Sequence, residues 1–582
     1  MRTPTSALAV LPLLLASVAC SSSSQSASRD GGSRDGGSGA TASDGATPNG
    51  GGGNAGTAPG SGGKGGSSGS AGAGAGGKSN AGGAGTSTGG ASSTGSGGAD
   101  TDGAAPDAGS AMGTTVGTYV GVNVLITDSL AHIAPIGVAR EYHNWGWLGN
   151  NYTDKAYPDT LYTPNIPDFG WDWDALFAGL KSMNVSGFPA VQGAVPWVNG
   201  NMLPPADGSP TAAASYVAHG ETMFQIAARW GSVKVADGKL RLEPGQTRKS
   251  GLGTVEYFED FNEQDNVKGF TGDVFAAMAS ADYDGDQGRL GATIGVKNAD
   301  PAAKLVMGGL SGAYGGGTTW LDSITTFLDA ARTWSDKNRG GSFPADVLNV
   351  HYYSFGKGAP AAALSPEDDG VQAKLAAVVA YRDAHLPGKP VWWTEFGYDT
   401  YASSPLHAPA LGQSSAFIVQ GQWLVRALLA GLAAGVERAT LFELDDTCTP
   451  PEKACDTQFA TCGLLTHPDS SPKPAWYFVA TFRARLATMT YTGERTSGAA
   501  DVKIFQFVDT AHPGGALVVW APTSKATVHA GYALALPGGA ASATAVTLAD
   551  KQQNGVEKAL APSGGAVTLD VTETPTIVLY GP

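Results

Sequence analysis

Basic residues are in short supply. The chain has 582 residues, with 36 Lys and Arg against 51 Asp and Glu, a formal net charge of -15. No basic footprint stands ready to neutralise phosphates, which argues against nucleic acid as a partner. Cysteine is scarcer: Cys20 stands alone, and Cys448, Cys455 and Cys462 fall within fifteen residues. Three thiols permit one loop-closing disulfide and leave one over. No histidine lies between them, which disfavours a zinc site. Between residues 21 and 114 there is no Phe, Tyr or Trp. Such a stretch of Gly, Ser, Ala and Thr buries too little apolar area to offset its ordering entropy, so a flexible tether is expected. Beyond the N-terminus no apolar run approaches the ~20 residues that span a bilayer.

What is present divides the rest. Arg2, the apolar run Ala7 to Ala16 and the small residues before Cys20 read as an export signal over 1–20. Cys20 after Ser17-Val18-Ala19 resembles a bacterial lipoprotein cleavage site, with Cys20 as the lipidated residue. An exported, lipid-anchored cell-envelope protein is expected, held off the membrane by the 21–114 linker. Twelve of the thirteen tryptophans then fall between Trp145 and Trp476.

In that region strand-like runs alternate with amphipathic segments. The strands are expected at 119–125, 136–140, 186–192, 255–261, 304–308, 347–352, 390–395 and 439–443. Helices are expected at 173–183, 214–230, 324–334, 372–385 and 420–434. Strand then helix, repeated about eight times, predicts an α/β fold of the (β/α)8 barrel type over 115–485. The glycine-rich signatures of a dinucleotide-binding sheet are missing after the first strand. From 486 to 582, short β-rich runs separated by Gly, Pro and Asp predict an all-β sandwich-like domain, read as a structural cap on the barrel. Asp282-Tyr-Asp-Gly-Asp286 has the alternating oxygen donors of a calcium loop without its full spacing, and a solvated turn is expected there.

Two motifs carry chemistry. Val255-Glu-Tyr-Phe-Glu-Asp-Phe-Asn-Glu-Gln-Asp265 is an apolar strand ending in Asn262-Glu263, and Val391-Trp-Trp-Thr-Glu-Phe-Gly397 ends a strand at Glu395. Carboxyls at the C-terminal ends of barrel strands point into the mouth, where sites form. Strict alternation would group Glu259 and Phe261 with Glu263, and Asp260 with Asn262. Paired carboxylates suit glycosidic bond cleavage, one donating a proton to the leaving oxygen and one remaining ionised.

Here the chain resembles clan A of the glycoside hydrolases, in the style of families 39 and 5. Those are (β/α)8 enzymes that retain anomeric configuration, with Asn-Glu ending strand four and Glu ending strand seven. The family motif often reads Asn-Glu-Pro, where this chain has Asn262-Glu263-Gln264. The resemblance implies Glu263 as general acid/base, Glu395 as nucleophile and Asn262 on the sugar's 2-hydroxyl. It also implies an arginine beside the nucleophile, Arg140, that keeps Glu395 ionised. His351 and Tyr353 end strand six; Tyr352 or Tyr353 is placed to hydrogen-bond Glu395 or a substrate hydroxyl. His143, Trp145, Trp197 and Phe396 are candidate sugar-binding residues, with Trp145 and Trp197 the preferred platforms. Glu443 and Asp445 close strand eight as hydroxyl-binding or rim groups. The expectation is hydrolysis of a β-linked polysaccharide or oligosaccharide, such as a β-glucan, by a monomer with no cofactor and no metal. A transglycosylase using the same pair and a noncatalytic carbohydrate-binding lipoprotein are the competing readings.

Overall fold

The structure, a computed structural model, describes residues 113–582 apart from 148–155, 167–168, 199–203, 314–316, 357–361 and 510. The expected signal segment 1–20, with Cys20, and all but the last two residues of the 21–114 linker lie outside the described residues.

Eight parallel strands run β1 (Val120–Val124), β2 (Val138–Asn144), β3 (Gly187–Gln192), β4 (Tyr257–Asp260), β5 (Lys304–Met307), β6 (Leu348–His351), β7 (Val391–Glu395) and β8 (Arg438–Leu441). Their order in the sheet is β5-β4-β3-β2-β1-β8-β7-β6. Parallel bridges Val306–Val347 and Leu310–Val350 join β5 to β6 and close the barrel. The barrel is therefore as expected, and each predicted strand overlaps an observed one.

The helices α1 (Trp173–Ser182), α2 (Val217–Trp230), α3 (Gly272–Asp284), α4 (Trp320–Arg339), α5 (Val371–His385), α6 (Ala416–Ala434) and α7 (Pro474–Arg485) surround the strands. Local chemistry sets several ends. Asp172 caps α1 by accepting from the amide of Ala175, and Thr319 caps α4 through the amide of Asp322. Gly435, at φ 89°, stops α6 in the left-handed conformation that a side chain disfavours. Contrary to the expectation of no further long apolar segment, α6 is long and apolar enough to cross a membrane by length and composition. Sixteen of its residues are nevertheless buried in the protein, where Tyr119 donates its hydroxyl proton to the Leu428 carbonyl.

The Asp282–Asp286 segment is not the solvated turn expected: Asp282 to Asp284 end α3, and Asp282 is fully buried. Asp284 pairs with Arg339 and Asp286 with Arg289, while Asp282 is buried against His219.

Eight antiparallel strands follow: β9 (Met489–Arg495), β10 (Lys503–Asp509), β11 (Gly515–Trp520), β12 (Val528–Ala535), β13 (Ser542–Ala549), β14 (Gln552–Leu560), β15 (Ala566–Thr572) and β16 (Thr576–Gly581). Six form a sheet ordered β9-β10-β11-β16-β13-β14, and β12 pairs with β15. The pleat gives the large sheet two apolar faces. Ile504, Leu517, Val519 and Val578 meet Leu534, Val567 and Val571 of the small sheet. Phe505, Phe507, Val518, Trp520 and Ile577 join the core of the barrel. The interface is also polar. Glu367, paired within the barrel with Arg426 of α6, accepts from Trp520 Nε1 at 2.8 Å, and Arg426 Nη1 donates to the Thr523 carbonyl at 3.0 Å.

Candidate active site

The end of β4 breaks the strand pleat. Glu259 points into the barrel and Asp260 outward, against His219 and Asp282. Phe261 then takes φ 79° and Glu263 φ 46°. Left-handed backbone at non-glycine residues costs of order 1–3 kcal/mol each and gathers at functional sites. The turn buries Phe261 against Phe270 and brings Asn262 and Glu263 together at the mouth. This is why strict alternation mispredicts the segment.

Arg140, on β2 and fully buried, ties the mouth together. Its Nε and Nη2 donate to Glu259 at 2.6 and 2.8 Å, Nη1 donates to Asn123 at 2.7 Å and Glu395 at 2.9 Å, and Nη2 donates to Asn262 at 2.6 Å. Glu395, at the end of β7, accepts further hydrogen bonds from the hydroxyls of Tyr142 and, at 3.0 Å, Tyr353. Burial works to raise the Glu395 carboxyl, but His351, Arg140 and the two tyrosines outweigh it and hold it below the ordinary value. These contacts favour the carboxylate form of Glu395.

His351 lies between the carboxylates. Its Nδ1 is 3.0 Å from Glu263 and 3.4 Å from Glu395, and its Nε2 is 3.0 Å from Thr394 Oγ1. The ring fits because residue 309 is glycine: a Cβ there would lie 1.9 Å from His351 Nε2. Glu263, His351 and Glu395 each present an atom within 4.8 Å of the other two. Among the described residues one further trio, His219, Asp260 and Asp282 behind β4, meets the same spacing and is the other place where side chains could hold a metal ion.

The structure brings Asn262, Glu263, Arg140, His351, Tyr353 and Glu395 together. Tyr352 turns away, donating to Asp369 at 2.8 Å, so Tyr353 is the tyrosine on Glu395. Glu443 stands nearby, half-buried, with Oε1 lacking a hydrogen-bond partner. Burial, with Asp128, Asp446, Glu395 and Asp445 around it, pushes its carboxyl well above the ordinary range.

Three expected sugar-binding residues are core residues. His143 is fully buried, bonded to Glu141 at 2.8 Å and packed on Trp173 and Trp230. Trp145 is fully buried between Trp197 and His219. Phe396 stacks on Trp393 with ring centroids 3.9 Å apart. Trp197 is half-buried and packs edge-on against Trp145. Of the clustered cysteines, Cys448 and Cys455 form the disulfide and Cys462 is a buried free thiol.

Sequence reasoning missed Tyr142, Asn349, Thr394 and the pairing role of Glu259. Tyr142 and His143 share one cause. The sequence pattern places the strand's end at Arg140, whereas β2 continues to Asn144. Extending the alternation places Tyr142 beside Arg140 inside the barrel, and turns Glu141 and His143 outward to α1.

No family model matches this chain, and no curated protein matches it in sequence. Solved structures do match in fold. A family 39 glycoside hydrolase from the gut symbiont Bacteroides cellulosilyticus WH2 aligns over 80% of this chain and 81% of its own, at 15% identity and TM-score 0.53. A glucosidase from Croceicoccus marinus aligns over 81% of this chain and 97% of its own, at 12% identity and TM-score 0.50. At such identities the likeness is one of fold: the chain has the barrel architecture of these glycoside hydrolases.

Proposed function

We propose that the chain is a retaining glycoside hydrolase acting on a β-linked glycan, with Glu395 as nucleophile and Glu263 as general acid/base. The observation that carries this is the approach of the two carboxylates. They end β4 and β7, and an oxygen of each lies within 4.8 Å of the other. Carboxyls about 5–5.5 Å apart suit direct attack on the anomeric carbon, whereas inversion needs about 6.5–9.5 Å to admit a water. The asymmetry of the pair supports the same roles. Glu395 is gripped by Arg140 and two tyrosines as an anion. Glu263 faces a histidine and is more exposed, within reach of a leaving oxygen.

In the first step Glu395 attacks the anomeric carbon while Glu263 gives its proton to the departing glycosidic oxygen. In the second, Glu263 takes a proton from water, whose oxygen displaces Glu395. The structural neighbours named as a family 39 glycoside hydrolase and a glucosidase agree with this reading.

The aromatic platform is reassigned. Trp147 follows the mouth end of β2, with Trp171 at 5.2 Å and Phe169 a further 5.3 Å along. Phe169 is 67% exposed, and such rings stack on the C–H faces of sugars. Export and lipidation of Cys20 belong to the same proposal and rest on the sequence from Arg2 to Cys20.

The test is a screen of β-glucans, xylans, mannans and galactans, followed by NMR of the first anomer released. Retention of configuration, with activity lost in both Glu263→Ala and Glu395→Ala, is expected. An inverted first product, or turnover that survives Glu395→Ala, refutes the assignment.

A further inference from the structure

The hydrogen-bond chain behind His351 has a direction, and that direction fixes the protons on the ring. It begins at Glu259, which Arg140 holds through two parallel bonds and which is therefore a carboxylate able only to accept. Asn349 lies 3.0 Å from it and must present its NH2 group. The other end of that amide, Oδ1, must then accept, and it does so from Thr394 Oγ1 at 2.9 Å. The threonine hydroxyl has one proton and has now used it. Toward His351 Nε2, at 3.0 Å, Thr394 can only accept. His351 Nε2 therefore carries a hydrogen whatever the charge on the ring.

The consequence falls on Nδ1, which faces Glu263 at 3.0 Å and Glu395 at 3.4 Å. Glu395 already accepts from Arg140, Tyr142 and Tyr353. Asp265, the next acid along the β4 loop, is engaged by the amides of Ser311 and Gly312. If Nδ1 is bare, the hydrogen bond to Glu263 requires the proton on Glu263. If Nδ1 is protonated, Glu263 is the carboxylate. Either way one proton occupies the Glu263–His351 contact.

We infer that His351 is the positioning residue for the acid/base proton: the relay Glu259–Asn349–Thr394 locks its Nε2–H tautomer, so that Nδ1 and Glu263 hold a single proton jointly. This deepens the glycosidase reading and rests on it for its catalytic meaning. With the proton on Glu263, its transfer to the leaving oxygen leaves a carboxylate beside a neutral imidazole. Proton uptake from water in the second step restores the pair.

Two measurements test this, and they separate its failure from failure of the glycosidase reading. The first needs no turnover: NMR of the full chain labelled with 15N-histidine, with the His351 signals identified by their loss in His351→Phe. Nε2 is expected to stay protonated across about pH 5–8, the range in which histidine charge ordinarily changes. In Glu263→Gln the amide supplies the donor to Nδ1, and titration of His351 within that range is expected to vanish. A neutral ring protonated on Nδ1, or a titration unmoved by Glu263→Gln, overturns the inference even if the enzyme is a glycosidase.

The second is the pH dependence of kcat/KM on whichever glycan is cleaved. Loss of the shared proton sets its alkaline limb. Because two sites hold that proton more tightly than one, His351→Phe is expected to move the limb to lower pH, by on the order of one unit. Thr394→Val, which removes the acceptor that fixes Nε2–H, is expected to move it the same way. An unmoved limb in both variants overturns the inference and leaves the carboxylate assignment standing.

Discussion

Replacing Arg140 by methionine separates what this residue does for folding from what it does for the site. The guanidinium and the Glu259 carboxylate are both fully buried, and the pair is bidentate. Without the guanidinium, Glu259 keeps only Asn349 at 3.0 Å and the amide of Gly309 at 3.3 Å. Breaking a buried ion pair by removing one partner costs about 3–5 kcal/mol, most of it the penalty of a stranded charge. Arg140→Met is therefore expected to lose about that much unfolding free energy in denaturant titrations. Adding Glu259→Gln removes the stranded charge and is expected to restore most of the loss.

Activity is expected to behave differently. Arg140 also holds Glu395, whose carboxyl it helps keep below the ordinary range. In both variants Glu395 loses that cation and takes up a proton at higher pH. The acid limb of kcat/KM is then expected to move toward neutral and to stay moved in the double variant. If the double variant is no more stable than Arg140→Met, the ion-pair argument fails. If it regains the wild-type pH profile, the ionisation of Glu395 does not depend on Arg140.

Three other outcomes are expected. Gly309→Ala would put a Cβ 1.9 Å from His351 Nε2; overpacking of this kind costs about 1–3 kcal/mol, and the displaced ring should cut kcat more than it raises KM. An unchanged kcat would remove His351 from the working site. Glu221 is buried, and that burial raises its carboxyl from 4.5 to about 7 against the opposing contacts of Tyr162, Arg241 and Gln225. The folded state therefore binds its proton more tightly than the unfolded chain does. The resulting penalty, roughly 3 kcal/mol, is complete above pH 7, fades as pH falls through 7, and is gone below about 4.5. Tm should rise on acidification from pH 8 to 5, and the slope should flatten in Glu221→Gln; an equal slope in the variant would contradict this. Phe169→Ala and Trp171→Ala should raise KM on a polymeric glycan and spare short aryl glycosides, and an equal loss on both would place these rings elsewhere than along a bound chain.

The barrel was legible because its strands are buried on both faces and read as apolar runs between amphipathic helices, as Val391–Glu395 does. The carboxylate pair was legible because strand ends at the mouth expose their side chains, so acids there stand out against apolar neighbours. Legibility failed where a local irregularity or a partner far along the chain decides the matter. Nothing near Glu259 announces that Arg140, 119 positions away, will claim it. The left-handed turn at Phe261 and Glu263 has no glycine to mark it. The aromatic count near strand ends did not tell rim from core: Trp145 and Phe396 pack inward, while the exposed Phe169 follows no predicted strand. Two C-terminal strands lack a legible apolar alternation: Gln552–Leu560 is mostly exposed, and Met489–Arg495 fully buries Tyr491 alone.

The six-stranded sheet bears on how the protein comes apart. One sheet lends opposite faces to two apolar interiors, so neither interior can lose it and remain closed. Removing the chain after residue 485 would uncover the barrel side that Phe505, Phe507, Val518 and Trp520 now seal. At roughly 1.5–3 kcal/mol for each large side chain, that loss is comparable to the whole stability of an ordinary domain. Barrel and β-region should then melt in a single calorimetric transition. In engineering terms the β-region is a wall of the enzyme and not a detachable module.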